Sequence, residues 1–254
     1  MLSTRDRAPR TLKGVMKTLM PTTVNKHRVI AQMFMTLKKR YDPREPEPRP
    51  VFEQFLYAIC REGATREQAD RAFQVLQEHF FDWNEVRVSS AREVEEALAD
   101  IPDAENRANR LISFLQEVFE TTFSFDLEPL HKKGLKQAAK QLSRFQAAND
   151  YAVSWVIQQS LGGHAIPLDA PSLRVLRRLG VVEDDHHDLE TLRASLEHLI
   201  PKSRGPLFVE LVSAMAHDTR WEEDPRSPFR ALLHDDDEEE DVPAERPSSR
   251  PKPR

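Results

Sequence analysis

Residues 151–180 read YAVSWVIQQSLGGHAIPLDAPSLRVLRRLG, and the reading of this stretch decides the fold. Tyr151 to Leu161 is an apolar-rich run with helical spacing, stopped by Gly162 and Gly163. A short loop holding Pro167 follows, and then a lone acid, Asp169, stands where the next helix begins. Pro171 suits the first turn of that helix, and Gly180 suits the position just past its end. The segment is therefore helix, tight loop, helix, with a carboxylate at the joint. Aspartate is a favoured N-cap, because its oxygen accepts an orphan backbone N–H of the first turn. A fixed carboxylate beside a loop can also serve as the acid of an active site, and the two roles are compatible.

Outward from this segment the same pattern repeats. Lys26 to Arg40 carries Val29, Ile30, Met33, Phe34 and Leu37 on one side, and the prolines of YDPREPEPRP (41–50) end it. Phe52, Phe55, Leu56 and Ile59 mark a buried helix face. Thr65 with Gln68 fits a capping box, opening a helix through Ala69, Ala72, Phe73 and Leu76. Ser89 or Ser90 starts a short helix that Pro102 breaks, and Ala108 to Phe119 gives the next stripe. Lys132–Leu142, Thr191–Leu199 and Pro206–Met215 complete a set of nine or ten short helices. The expected class is all-α and two-lobed. We expect a basic, weakly ordered arm over 1–24 and a helical domain over 25–220. The tail from Trp221 to Arg254, acidic and proline-rich, is expected to be disordered.

The chain has 254 residues and a formal net charge of −5, unevenly placed. Residues 1–46 hold eleven Lys or Arg and three acids, whereas 235–241 is an unbroken run of seven acids. The basic arm can attract phosphate backbones, or be no more than a solvated arm. A single cysteine, Cys60, excludes an intramolecular disulfide and any multi-cysteine zinc or iron–sulfur site, and its apolar setting reads as a buried thiol. No apolar run has the length of a membrane span and no secretion signal opens the chain, so the expected compartment is the cytoplasm. Two ligand-like clusters are weak metal candidates. EDDHHD (183–188) lies in a polar run, where adjacent ligands seldom converge on one ion, and His217-Asp218 lacks supporting partners.

Asp169 is followed by Arg174-Val175 and Arg178-Leu179-Gly180, and Tyr151 stands eighteen residues before it. This layout resembles the helix-hairpin-helix DNA glycosylase superfamily, the endonuclease III-like proteins. Three further segments are similar to it: FEQFLYAICREGATREQADRAF (52–73), IPDAENRANRLISFL (101–115) and PLFVELVSAMAHDTR (206–220). The resemblance covers about residues 26–220. It implies a two-lobed helical glycosylase fold, with lobes over about 50–160 and over 25–45 plus 165–220. It further implies a partner of double-stranded DNA, damaged or mismatched; with no cluster cysteines after Arg220 no cofactor is expected, and a monomer is expected.

By the same resemblance Asp169 is the catalytic acid and Tyr151 lines the base pocket. Lys133, Lys136, Lys140 and Arg144, spaced by three and four, form a basic stripe that leads into the hairpin. On residue physics alone that stripe reads first as an ordinary solvated face. Ala147 and Asn149 belong to the hairpin that holds the phosphate backbone, and Gly63 occupies the place of the residue that fills the gap left by an extruded base. Trp155, Val156 and Leu161 read as core.

Four departures from the family pattern bear on function. The hairpin usually reads Leu-Pro-Gly-Val-Gly, where this chain has Phe145-Gln146-Ala147-Ala148-Asn149. Its glycines admit positive φ; Ala147 resists it, and Asn149 tolerates it better. Tyr151 replaces the lysine that forms a Schiff base in the lyase members, and a phenol forms no imine. No cysteine follows Arg220, and the gap-filling residue is Gly63. Two readings result: a monofunctional DNA N-glycosylase of base-excision repair, or a catalytically inactive relative that binds DNA or protein.

Overall fold

The computed structural model describes residues 23–44, 46–182, 188–218 and 220–223. Among these the chain is helical throughout, with twelve α-helices, two 3-10 turns and no strand. Helix α1 (Thr23–Arg40) begins inside the expected arm and buries Ile30, Met33, Phe34 and Leu37 along one seam. Lys38, Lys39 and Arg40 fill its last turn, where cations complement the helix dipole.

Helix α2 (Val51–Arg61) is the central element, with every residue except Glu53 buried. Its Phe55 ring stacks on Phe114 at 4.0 Å between centroids, and Phe52 and Phe145 close on the same Phe114 ring. Phe114 lies on α6 (Ala104–Thr122), so aromatic packing ties the two helices together. Trp155 Nε1 donates to Gln54 Oε1 at 3.0 Å, satisfying two buried polar groups at once.

Helix α3 (Arg66–His79) opens with the expected capping box: Thr65 Oγ1 accepts from Gln68 N, and Gln68 Oε1 accepts from Thr65 N. Ser90 makes the same arrangement with Glu93 at the start of α5 (Ala91–Ala97). Between them lies α4 (Trp83–Val88), a helix that apolar spacing did not reveal. Its signal is local, since the Asp82 side chain caps Glu85 N. The helix expected from Lys132 begins later: Glu128–Lys132 is a 3-10 turn, and α7 runs Leu135–Leu142 after Gly134.

Helix α7 and α8 (Asp150–Gln159) pack side by side around the turn 143–149, and α8 lies along α2. The second half holds α9 (Ala170–Arg178), α10 (Leu189–Leu199), α11 (Gly205–His217) and α12 (Arg220–Glu223). Helix α11 packs on α9 and on α1, with Phe34 and Phe208 rings 5.9 Å apart, and reaches α8. Gly180 adopts φ +65° just past α9, the left-handed end expected of it. Trp221, expected in the solvated tail, is buried at 4 % exposure, so the packed core runs past residue 220. No described helix is long and apolar enough to cross a membrane.

Candidate functional site

Asp169 is delivered by a loop with little freedom. Gly162 takes φ +61°, and a Cβ on Gly163 would lie 2.4 Å from Ile157 Cγ2, so the chain turns back tightly against α8. Gln158 Nε2 then donates to Ala165 O at 2.6 Å, and Ile166 and Leu168 are buried. Asp169 arrives in extended geometry as the N-cap of α9, and its Oδ1 accepts from Ser172 N at 2.9 Å. The second oxygen is also engaged: Gly63 N donates to Asp169 Oδ2 at 2.9 Å. The carboxylate is 5 % exposed. It therefore caps its own helix and joins α9 to the turn that follows α2.

That turn depends on Gly63, which adopts φ +67°. A Cβ there would meet only Arg107 Nη2, at 3.8 Å, so conformation rather than crowding selects glycine. Arg107 fixes the end of α2 by donating to Ile59 O, Glu62 O and Pro102 O. On the other side, Gly63 O lies 3.2 Å from His217 Nε2 on α11. Gly63 thus ties α9 and α11 to the turn after α2, and its role here is that of a junction.

Tyr151 is 4 % exposed and stacks on Trp155 with centroids 5.9 Å apart. Burial pushes its phenol well above the ordinary range, against the pull of nearby Arg61, while Asp169 adds to the rise. Its hydroxyl has no hydrogen-bond partner among the described residues. Arg61, which sequence reading did not single out, is the charge between these groups. Its side chain is 2 % exposed, donates to Ala64 O and to Ser213 Oγ (2.8 Å), and lies 3.8 Å from Glu210 Oε2. Its Nε has no partner among the described residues. A lone arginine in the last turn of an apolar helix reads as a dipole cap, so nothing in the sequence marked it. Burial raises the Glu210 carboxyl pKa, partly offset by Arg61 and Arg66. Beside this pair lies a cavity of about 610 Å³, lined among others by Arg61, Arg66, Glu210, Ser213 and His217. Neither Asp169 nor Tyr151 lines it.

The hairpin forms a second region. Phe145 is buried in the aromatic core, and Ala148 N donates back to Phe145 O at 3.0 Å. No residue of 143–149 has positive φ. Asn149, the residue best suited to it, sits at φ −134° instead and caps α8 through Ala152 N. The turn is thus built without the left-handed residues that glycines would supply. Polar contacts that include Asn149 Nδ2 to Glu62, Arg110 to Ala147 O and Gln146 N to Glu117 strap it to α6 and the end of α2. Lys133, Lys136, Lys140 and Arg144 are all exposed along α7 and its approaches, as the stripe requires. A cavity of about 500 Å³ separates α7 and α8 from α10, lined by Lys136, Asn149, Asp150, His164, Arg193 and Glu197 among others.

The metal candidates fare differently. EDDHHD falls almost wholly outside the described residues. Asp218 pairs with Arg40 and accepts from the Tyr41 hydroxyl, while His217 Nδ1 faces Ser213 O, so this dyad is built into the packing. Among the described residues no group of three or more His, Cys, Asp or Glu is placed to hold a metal ion. Cys60 is fully buried, and desolvation raises its thiol to about 12.

No protein-family model matches the chain, and no curated protein sequence does either. Solved structures do. A trapped endonuclease III–DNA covalent intermediate, an estranged-adenine complex, superposes with TM-score 0.60 at 15 % identity, over 83 % of this chain and 99 % of that one. A non-covalent endonuclease III–DNA complex gives 0.62 at 18 %, over 82 % and 94 %. A thermostable thymine-DNA glycosylase gives 0.56 at 16 %, over 81 % and 91 %. The chain has the all-helical, endonuclease III-like DNA glycosylase fold.

Proposed function

We propose that this chain, with its endonuclease III-like fold, is a monofunctional DNA N-glycosylase acting on double-stranded DNA in base-excision repair. The observation that carries this reading is the Asp169 carboxylate, fixed by two backbone N–H groups at the head of α9 with Tyr151 and Arg61 nearby. Rupture of the bond between a base and C1′ of deoxyribose sends the electron pair out with the base and leaves an oxocarbenium-like sugar. A preorganised carboxylate stabilises that positive charge. The same carboxylate orients the water that adds to C1′, takes up its proton and returns it to solvent, from which the departing base anion is protonated. The product is free base and an abasic site. Tyr151 supplies no amine, so no Schiff base forms and the strand stays intact.

Because Asp169 is 5 % exposed, the nucleotide must be extruded from the duplex and the Gly63–Asp169 contact must open before attack. This requirement supports a second reading. The buried Arg61 guanidinium is a fixed positive charge near the centre where positive charge must develop. That arrangement favours an inactive relative that binds DNA without cutting the glycosidic bond. Base release from modified duplexes separates the two readings. Borohydride trapping tests the monofunctional part: a covalent protein–DNA adduct would sink it.

A further inference from the structure

Glu210, on α11, is a carboxyl with incomplete surroundings. It is 8 % exposed, yet its side chain makes no hydrogen bond among the described residues. Two guanidiniums stand near it beyond hydrogen-bond reach, Arg61 Nη2 at 3.8 Å and Arg66 Nη1 at 3.6 Å. Its oxygens are not among the unpaired atoms that packing seals completely, and the residue lines the cavity of about 610 Å³, so the carboxyl opens into that cavity. Asp169 is the opposite case, with a backbone N–H on each oxygen. The two carboxyls share a wall. Gly63 N holds Asp169 Oδ2, and Gly63 O lies 3.2 Å from His217 Nε2, on a residue that lines the cavity. The opening of the Gly63–Asp169 contact that the proposed function requires is an opening of this wall.

We propose that the cavity receives the extruded base and that Glu210 donates a proton to it as the bond to C1′ breaks. This rests on the proposed glycosylase function and deepens it: Asp169 serves the sugar, and Glu210 serves the departing base. The glycosidic electron pair leaves with the base, and negative charge collects on its ring nitrogens and carbonyl oxygens. The Glu210 O–H bond breaks toward one of these atoms, and the base departs neutral. The carboxylate left behind faces Arg61 and Arg66, which stabilise it, and solvent returns its proton through the cavity. Glu210 thereby relays to the base a proton that would otherwise come directly from solvent. The groups around it suit this task. Burial raises its pKa, Arg61 of α2 and Arg66 of α3 draw it down, and Asp70 and Glu67 of α3 add to the rise. The buried Tyr151 of α8 faces the same charge. The substrate class is a neutral base with an acceptor atom on its edge; a base that is already cationic needs no such proton.

The test is single-turnover base release from labelled duplexes by wild type, Glu210→Gln and Glu210→Asp. One set of duplexes carries a neutral base: uracil, mismatched thymine or 8-oxoguanine. The other carries 7-methylguanine, whose ring is already positive and leaves without a proton. Glutamine keeps the size and loses the acid, so release of the neutral base should fall about 100-fold. Release of 7-methylguanine should match wild type. Wild-type release of the neutral base should decline as pH rises through the Glu210 pKa, and that decline should vanish in Glu210→Gln. Glu210→Asp should restore part of the rate together with the decline, and it carries the same comparison of neutral and cationic base where glutamine lowers the melting temperature. Equal loss on both kinds of base overturns the acid role and leaves the glycosylase standing. So does a Glu210→Gln protein that keeps the wild-type rate or pH profile on the neutral base, and so does release of 7-methylguanine alone by wild type. Where wild type releases the neutral base alone, loss of the pH-dependent decline in Glu210→Gln supports the role and its retention overturns it. No release of any base by wild type overturns both.

Discussion

At the scale of the residue, Asp169 carries two loads that substitution can separate. Alanine removes the N-cap and leaves the Gly63 and Ser172 amides without their acceptor, at a cost of roughly 2–4 kcal/mol in a urea melt. Asparagine keeps one acceptor oxygen and loses the charge; it should cost about 1–2 kcal/mol, because one of the two amides then faces an NH₂ group. Equal melts for wild type and Asp169→Ala would contradict the observed geometry. Asp218 gives a pH signature. Burial pushes its pKa up, but hydrogen bonds from Arg40, Tyr41 and Arg220 outweigh this and hold it at about 2, below the ordinary 3.8. A depressed carboxyl stabilises the fold above its unfolded pKa and loses that contribution as pH falls through the folded one. The melting temperature of Asp218→Asn should therefore lie below wild type at neutral pH and converge on it between about pH 4 and pH 2. A gap that is constant across that window would contradict the assignment.

Elements differ in how plainly the sequence announces them. The helices that begin at Thr65, Ser90 and Asp169 were legible because a side chain of known capping chemistry sits at each start. Helix α4 was not, since six residues are too few to display a period, and Asp82 with Glu85 was its only mark. The start of α7 was read too early because Lys132 and His131 continue the composition of a helix while the backbone is still in a 3-10 turn. The hairpin was legible as a departure but not in its outcome. A sequence shows that glycine is missing; it does not show that Asn149 caps α8 while Glu117 accepts from the amide of Gln146, twenty-nine residues away. The basic stripe belongs to this scale as well. Lys136→Ala with Lys140→Ala should lower the salt slope of duplex binding by about two, one per phosphate contact. An unchanged slope would make α7 an ordinary solvated face.

Across the whole molecule, the proposed function depends on how the elements between α2 and α8 meet α1, α9 and α11. The polar links across that junction are long-range: Gly63 to Asp169, Gly63 to His217, and Arg61 to Ser213 and Glu210. Such pairs leave no periodic trace, which is why Arg61 and Glu210 escaped sequence reading although Asp169 did not. A base-excision assay on duplexes carrying uracil, mismatched thymine, oxidised and alkylated bases, with Asp169→Asn beside wild type, tests the central claim. Catalysis by Asp169 predicts strand breaks only after alkali, with release slowed about 100-fold or more in a folded Asp169→Asn protein. Excision at the wild-type rate by Asp169→Asn would contradict it and leave Asp169 as a cap and junction of an enzyme whose acid lies elsewhere; no excision by wild type on any duplex would contradict it and leave a binding protein.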